Sequence, residues 1–397
     1  MNTRSLINFV KYNKLIYNIY YYLGSFFLRL LGIFIHQKTN RIVFSSFGGR
    51  KYDDSPRCIY EAMLNDSRFQ DYELIWAFGN PEQFDIPAAK KVKCDTLEYY
   101  KTLLSASVWV TNSGMERGLS FKPKRIFNLN TWHGSAIKRM GTDIGKDNAS
   151  FVSNVKDTHD DIMLAQGKYD IDIFSRVFRI PKENFRITGL PRNDELVNCN
   201  TIENRKRIRK LLGIDEEKTV ILYAPTFREY DKDAGMNCKF NLPINIDKWQ
   251  HHLGGNFILL IRAHYEIVKL MDFHNNDFIK NVSSYPKLNE LMIASDLLIS
   301  DYSSIFFDYS IMDKPMLCFA YDYEKYSSNR GMYFDIREKL EGNSENEDQL
   351  ISSILNLNTN KAIDITCRFK NQFIEESGNA SKKCVDIIWN YLHDLPY

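Results

Sequence analysis

Short apolar runs that stop at compact polar clusters, with helical stretches between them, recur along most of this chain and leave few folds open to it. RIVFSSFGG, from Arg41, is a buried-strand pattern ending in glycines, and Ser55 to Leu64 follows as a helix. Tyr72 to Phe78 reads as the next strand, then Lys90 to Val92, Val108 to Thr111 and Arg125 to Leu129, with a helix over Thr96 to Ser105. Strands that alternate with helices form βαβ units, whose right-handed crossovers give a parallel sheet covered on both faces.

A second series begins with a basic helix, Thr201 to Ile214, closed by Gly213. It continues through the strands KTVILYAPTF, Asn256 to His264, Asn281 to Ser283, Asp296 to Asp301 and Lys314 to Asp322, with a helix over Leu288 to Ala294; a helical tail runs from Phe369 to Trp389. At 397 residues the chain exceeds one ordinary domain. The expected organisation is an α/β protein of two Rossmann-like domains, 41–195 and 196–368, preceded by a segment 1–40 and followed by a C-terminal helix, 369–397. In such sheets ligands bind in the loops at the carboxyl ends of the strands.

Composition removes several function classes. Lys and Arg total 52 against 50 Asp and Glu, so no overall basic footprint points to nucleic acid. The seven cysteines are scattered without CxxC spacing, as in reduced thiols, and neither a disulfide framework nor a zinc site is expected. The N-terminal run LIYNIYYYLGSFFLRLLGIFI (Leu15 to Ile35) is interrupted by Asn18 and Arg29, crowded with tyrosine at one end, and followed by no small-residue cleavage site. Its flanks suit residence at a membrane surface, with Lys11, Lys14, Arg29, Lys38 and Arg41 toward anionic lipid; packing on the protein's own core and a true span are the other readings.

Four strand ends carry chemistry in order: Asn130-Thr131-Trp132-His133-Gly134-Ser135, Ala224-Pro225-Thr226, Arg262-Ala263-His264, and Ser300-Asp301-Tyr302-Ser303-Ser304. Ser303 and Ser304 open an apolar helix whose free N–H groups suit a phosphate, although small hydroxyl residues also simply cap helices. Asp308, four residues after Ser304, shares that helical face, either for ligand hydroxyls or for solvent. Arg262 and His264 project the same way from one strand; an arginine there clamps phosphate oxygens or pairs with a local carboxylate. His133, beside a glycine that lets a ligand approach the backbone, suits a general base or a structural role.

WHGSAIKRMG (Trp132 to Gly141), TGLPRND (Thr188 to Asp194), YAPTFR (Tyr223 to Arg228), RAH (Arg262 to His264), SDYSSIFFDYSIMDKPMLCF (Ser300 to Phe319) and RGMYFD (Arg330 to Asp335) together resemble the CDP-glycerol glycerophosphotransferase family of teichoic acid and capsule synthesis. The likeness runs from about Arg41 to Cys384. It implies a GT-B fold with two domains facing a cleft, the nucleotide bound mostly by the second, no cofactor or metal, and peripheral attachment to the cytoplasmic face of the cell membrane. Carried over by position, His133 is the family's proposed base and His264 its second essential histidine. The CDP-glycerol set is Trp132, Gly134, Ser135, Ala136, Arg192, Pro225, Thr226, Arg262, Ser303, Ser304 and Asp308. The C-terminal motif departs from the family pattern, reading Ser377-Gly378-Asn379-Ala380-Ser381-Lys382-Lys383.

The reaction implied is attack by the terminal hydroxyl of an undecaprenyl-type lipid-linked acceptor on the β-phosphorus of CDP-glycerol, with CMP leaving. Two rivals stay open: a CDP-ribitol or capsule polyol-phosphate transferase, and a non-catalytic protein that binds polymer or lipid at the membrane.

Overall fold

The structure, a computed structural model, describes residues 13–86, 88–144, 160–226, 228, 242–263 and 275–395. The chain divides into two compact units: Met1–His133 with Met140–Asp194 and Glu375–Tyr397, and Gly134–Arg139 with Glu195–Ile374.

The first unit is built on β1 (Arg41–Ser45), β2 (Glu73–Phe78), β3 (Lys90–Lys93), β4 (Val108–Thr111), β5 (Phe127–Asn130), β6 (Ile162–Ala165) and β7 (Phe185–Ile187). They form one sheet in the order β3-β2-β1-β4-β5-β6-β7, and every pairing is parallel. Alternate residues serve opposite faces. Ile42, Phe44, Trp76, Val108 and Val110 pack with Ile59, Tyr60 and Ile388 on one side. Val43, Ile75, Ala77 and Trp109 pack with Leu103, Leu104 and Phe121 on the other. Burial of both faces is why these strands read as continuous apolar runs.

The second unit holds β8 (Thr219–Ala224), β9 (Phe257–Ile261), β10 (Ile279–Asn281), β11 (Leu297–Ser300), β12 (Met316–Phe319) and β13 (Glu341–Ser344). Their order is β10-β9-β8-β11-β12-β13, again wholly parallel. The α/β class with parallel sheets is as expected. In each sheet the winding reverses at the centre, between β1 and β4 and between β8 and β11. The loops leaving those neighbours diverge there and open a crevice.

The helical tail expected from Phe369 to Trp389 is broken. One helix, Thr359–Phe373, belongs to the second unit; the chain then returns to the first, where Ala380–Leu392 packs. Two motif residues hold this return. The Asp194 carboxylate accepts from the N–H groups of Ala380 at 2.8 Å and Ser381 at 2.7 Å, filling the cap that Ser377-Gly378-Asn379 does not supply. Gly189 has φ +75°, and a Cβ there would lie 2.5 Å from the backbone oxygen of Glu376.

The N-terminal run forms the helix Lys14–Phe34, capped by Asn13. Tyr17, Ser25 and Gly32 are buried, Leu28, Leu31 and Ile35 pack against the second core face, and Gly24 fits against Leu119. The opposite side leaves Leu15, Ile19, Tyr22, Leu23, Phe26, Phe27, Ile33 and Phe34 more than half exposed. No described helix is long and apolar enough to cross a membrane. Two cations expected to face lipid are engaged within the protein, Arg29 while still exposed and Arg41 half-buried. Arg29 donates to the carbonyl and hydroxyl of Ser120, and Arg41 to Glu73 and Ser105. Lys11 lies outside the described residues.

Gly189→Ala therefore combines a left-handed backbone cost with a clash against backbone that cannot swing away. Urea unfolding is expected to show a loss of about 2–4 kcal/mol. Gly118→Ala, also at positive φ but with nothing within 4 Å, should lose only the backbone part, about 1–2 kcal/mol.

Candidate active site

In the first unit β5 ends at Asn130, and the chain turns sharply through Trp132, whose φ of +47° is unusual for a side chain of that size. Asn130 Oδ1 accepts from Trp132 N at 2.9 Å and Gly134 follows at φ +137°, so the turn is held from both sides. Such backbone strain concentrates where a loop must present a side chain. Trp132 lodges its ring against Phe174 and Phe178, with the His133 ring tilted against it, 3.9 Å away centroid to centroid.

His133 Nδ1 lies 2.8 Å from the carbonyl oxygen of Asn112, the first residue after β4. A carbonyl only accepts, so Nδ1 carries the proton and Nε2 keeps its lone pair. Burial pushes the His133 pKa below its ordinary 6.5; the Asn112 carbonyl and Asp54 oppose this, and Arg192 and Arg50 add to it. The ring is thus neutral and oriented at neutral pH, which a general base requires.

Arg192 stands in this unit beside His133. Its Nη1 donates to Asp54 Oδ2 at 2.9 Å and to the carbonyl oxygen of His133 at 2.7 Å. Arg192, placed in the CDP-glycerol set by the resemblance, ties the His133 backbone to Asp54, at the start of the helix Asp54–Leu64. Phe47, two residues past β1, donates its N–H to Asn112 Oδ1 at 2.7 Å and sets its ring 5.8 Å from that of His133.

The segment Gly134–Arg139 belongs to the second unit, with Ser135, Ala136 and Ile137 buried. It pairs antiparallel with the RGMYFD stretch: Tyr333 N donates to Ile137 O, Arg139 N to Gly331 O, and Lys138 bridges Met332. Gly331 makes this approach at φ +72° and ψ 146°, a conformation that favours glycine. Two separate motifs of the resemblance therefore form one structure.

The remaining sites of the second unit gather at the β8–β11 reversal. After β8, Thr226 donates its N–H to both oxygens of Asp301, at 2.9 and 3.2 Å. The Thr226 hydroxyl oxygen is buried without a hydrogen-bond partner among the described residues. Arg228 joins the ends of three strands. It donates to Asp301 at 2.9 Å, to Asp322 at 2.8 and 2.9 Å and to the carbonyl of Thr226 at 2.6 Å. Its guanidinium also lies 4.9–5.1 Å from the rings of Tyr302, Tyr321 and Tyr326. Ser303 and Ser304 precede the helix Ile305–Ser310; Ser303 Oγ accepts from Ile305 N at 3.3 Å, and Ser304 makes no side-chain cap. Asp308 is 5% exposed, which removes its solvated reading.

Arg262 Nη1 donates to the carbonyls of Val282 at 3.3 Å and Tyr285 at 2.7 Å, joining the ends of β9 and β10. His264 lies outside the described residues. Sequence reading passed over Asn112, Asp54, Arg228, Asp301 and Asp322 as site residues. The polar strand-end signal that found the other clusters was also present after β1, in Ser46 to Arg50, and after β4, in Asn112 to Gly114.

Comparison with known proteins accords with this geometry. The family model described as CDP-glycerol:poly(glycerophosphate) glycerophosphotransferase matches residues 28–390. A teichoic acid poly(glycerol phosphate) polymerase of Staphylococcus epidermidis is 37% identical over 77% of this chain, which spans 44% of that relative's length. A teichoic acid glycerol-phosphate transferase of Staphylococcus aureus is 31% identical, over 88% of this chain and 93% of its own. A teichoic acid poly(glycerol phosphate) polymerase of Bacillus spizizenii is 30% identical, over 95% and 98%. Among solved structures, the wall teichoic acid polymerase TagF superposes with a TM-score of 0.82 at 32% identity, over 92% of this chain and 93% of that one. A UDP-GlcNAc 2-epimerase from Neisseria meningitidis, at TM-score 0.54 and 12% identity, shares the fold alone. The resemblance drawn from the motifs holds, and with it the transferase class: this chain belongs to the CDP-glycerol:poly(glycerophosphate) glycerophosphotransferase family.

Proposed function

We propose that the chain transfers glycerol phosphate from CDP-glycerol to the terminal hydroxyl of a lipid-linked acceptor in teichoic acid or related polymer synthesis, releasing CMP. The observation that carries this reading, beside family membership, is the His133 imidazole held by Asn112 with Nε2 free to accept a proton. As the acceptor oxygen bonds to the β-phosphorus, the bond from that phosphorus to the bridging oxygen breaks, and CMP departs with the bridging oxygen. His133 takes the hydroxyl proton. Such transfers depend on positioning and charge stabilisation more than on covalent chemistry from the protein.

Donor binding falls to the second unit. The Thr226 hydroxyl, without a partner among the described residues, the loop Ser303–Ser304 and the buried Asp308 offer hydrogen bonds to phosphate or ligand hydroxyls, on a frame that Arg228 and its two aspartates hold in place before any ligand arrives. His264 and Arg262 complete the donor set by family position. Arg192 acts in this reading on His133, through the carbonyl it holds.

Peripheral attachment to the inner leaflet completes the proposal. The exposed side of the helix Lys14–Phe34 is mainly apolar and aromatic, interrupted by Asn18 and Arg29, carries no acidic residue, and has Lys14 exposed at its start. That combination suits a helix lying in the interface with its other side docked on the protein.

Three outcomes follow. His133→Ala should bind CDP-glycerol with little change in calorimetry while its single-turnover rate falls about 10²–10⁴-fold; equal loss of affinity and rate would make His133 a pocket residue instead. Because the neutral imidazole is the active form and its pKa is depressed, activity should persist below pH 6.5 and fall only in more acidic buffer. An acid limb at or above that value would contradict the buried, arginine-flanked ring. Finally, Leu23→Glu with Phe27→Glu, both on the exposed face, should abolish co-sedimentation with anionic vesicles and leave the melting temperature unchanged; undiminished binding would place attachment elsewhere.

A further inference from the structure

The loop after β1, Phe47 to Lys51, is held on every side yet leaves its two cations unspent. Phe47, Gly48 and Gly49 run through positive φ of 50°, 64° and 84°. Asn112 Oδ1 and Ser113 Oγ accept from the N–H groups of Phe47 and Gly48, at 2.7 and 2.9 Å. Ser46 O takes those of Gly49 and Arg50, at 3.0 and 3.2 Å, and Gly49 O receives Gly79 N at 2.8 Å. A Cβ on Gly49 would meet Cys94 Sγ at 2.8 Å and Gly79 N at 2.9 Å, so the path is fixed by packing.

The charges around this loop sort cleanly. Arg117 reaches Gly48 O but is paired with Asp95, and Arg192 is paired with Asp54. Arg57 pairs with Glu61, and Asp53 makes no ion pair among the described residues, so it offsets one of the two cations that follow. Arg50 and Lys51 are exposed and make no ion pair among the described residues; Lys51 Nζ rests 5.7 Å from the Phe47 ring, the ring that faces His133. A rigid loop thus carries an excess of positive charge at the mouth of the β1–β4 crevice, beside the base.

The proposed reaction, on which this inference rests, defines what anion belongs there. Each transfer leaves a new terminal hydroxyl one glycerol away from a phosphodiester, so an acceptor that has already been extended brings a negative charge next to the hydroxyl that His133 deprotonates. A sugar-ended acceptor brings none. We infer that Arg50 and Lys51, on the loop pinned by Asn112 and Ser113, bind the phosphodiester that precedes the acceptor's terminal glycerol, and so favour chain extension over first addition.

The test uses the full chain, saturating CDP-glycerol and two synthetic lipid-linked acceptors ending in glycerol. One carries the natural phosphodiester before that glycerol, the other a neutral methylphosphonate diester of nearly the same shape. Wild type should prefer the charged acceptor by about 10- to 100-fold in kcat/KM, the scale of charge-assisted contacts. R50Q combined with K51Q should shrink that preference to about threefold or less, through KM for the charged acceptor, while Arg50→Lys keeps part of it. A preference unchanged in the double variant overturns the inference, as does an equal loss on both acceptors. CDP-glycerol calorimetry and CMP release by wild type separate the two levels. Wild type that neither binds nor turns over CDP-glycerol defeats the transferase reading and this one together, whereas normal turnover with an unaltered preference in the variant defeats this one alone.

Discussion

Everything chemical in this protein is confined by one requirement: a parallel sheet must bury both faces. With helices on each side, the sheets have no free surface except at the strand ends, and helix-to-strand returns occupy the amino ends. The carboxyl ends remain, and only where the winding reverses do neighbouring loops part widely enough to admit a ligand. Both sheets obey this. Phe47 to Lys51, Asn112 and Ser113 stand at the β1–β4 reversal, with His133 hydrogen-bonded to the Asn112 carbonyl from the loop after β5. Thr226 and Asp301 to Ser304 stand at the β8–β11 reversal.

This requirement also decided what was legible in the sequence. Central strands, buried on both faces, announced themselves as apolar runs: Val108–Thr111 and the helix Leu288–Ala294 fall where periodicity put them. The sheet margins gave weaker signals. The three-residue β7 is too short to show a period, and β13, Glu-Gly-Asn-Ser at the edge, has no apolar content at all. Site residues divide in the same way. A strand end followed by His133 or Ser303 is visible because chain neighbours define it. Arg192 on the carbonyl of His133, or Arg228 between Asp301 and Asp322, joins positions 59 to 94 residues apart and needs the folded chain.

Arginine is the residue for which sequence was least informative. A strand-end or motif arginine can be read as an anion clamp, yet Arg29, Arg41, Arg192 and Arg262 all make hydrogen bonds within the protein. Five donors in a planar fork make arginine as good at tying carbonyls and carboxylates as at binding phosphate. What separates the two uses is whether the charge already has a partner, and that depends on neighbours far away in sequence. Arg50 and Lys51, with no ion pair among the described residues, stand apart on that criterion and not on any motif.

Arg228 shows why buried charge belongs in such a site. The guanidinium and the Asp301 carboxylate are 3% and 2% exposed, and removing either partner from a pair so buried typically costs about 3–5 kcal/mol. An apolar replacement of the whole cluster would often be as stable, so stability alone does not account for it. What the cluster supplies is direction. Asp301 receives Thr226 N, Tyr302 N and Arg228, while Asp322 receives Arg228 and the Tyr302 hydroxyl. Each bond has a preferred angle, so the loops after β8, β11 and β12 are locked to one another in a way that apolar contacts, which tolerate sliding, would not achieve. For a transfer in which placing a diphosphate is most of the work, a frame that does not yield to the ligand lowers the reorganisation needed at the moment of reaction.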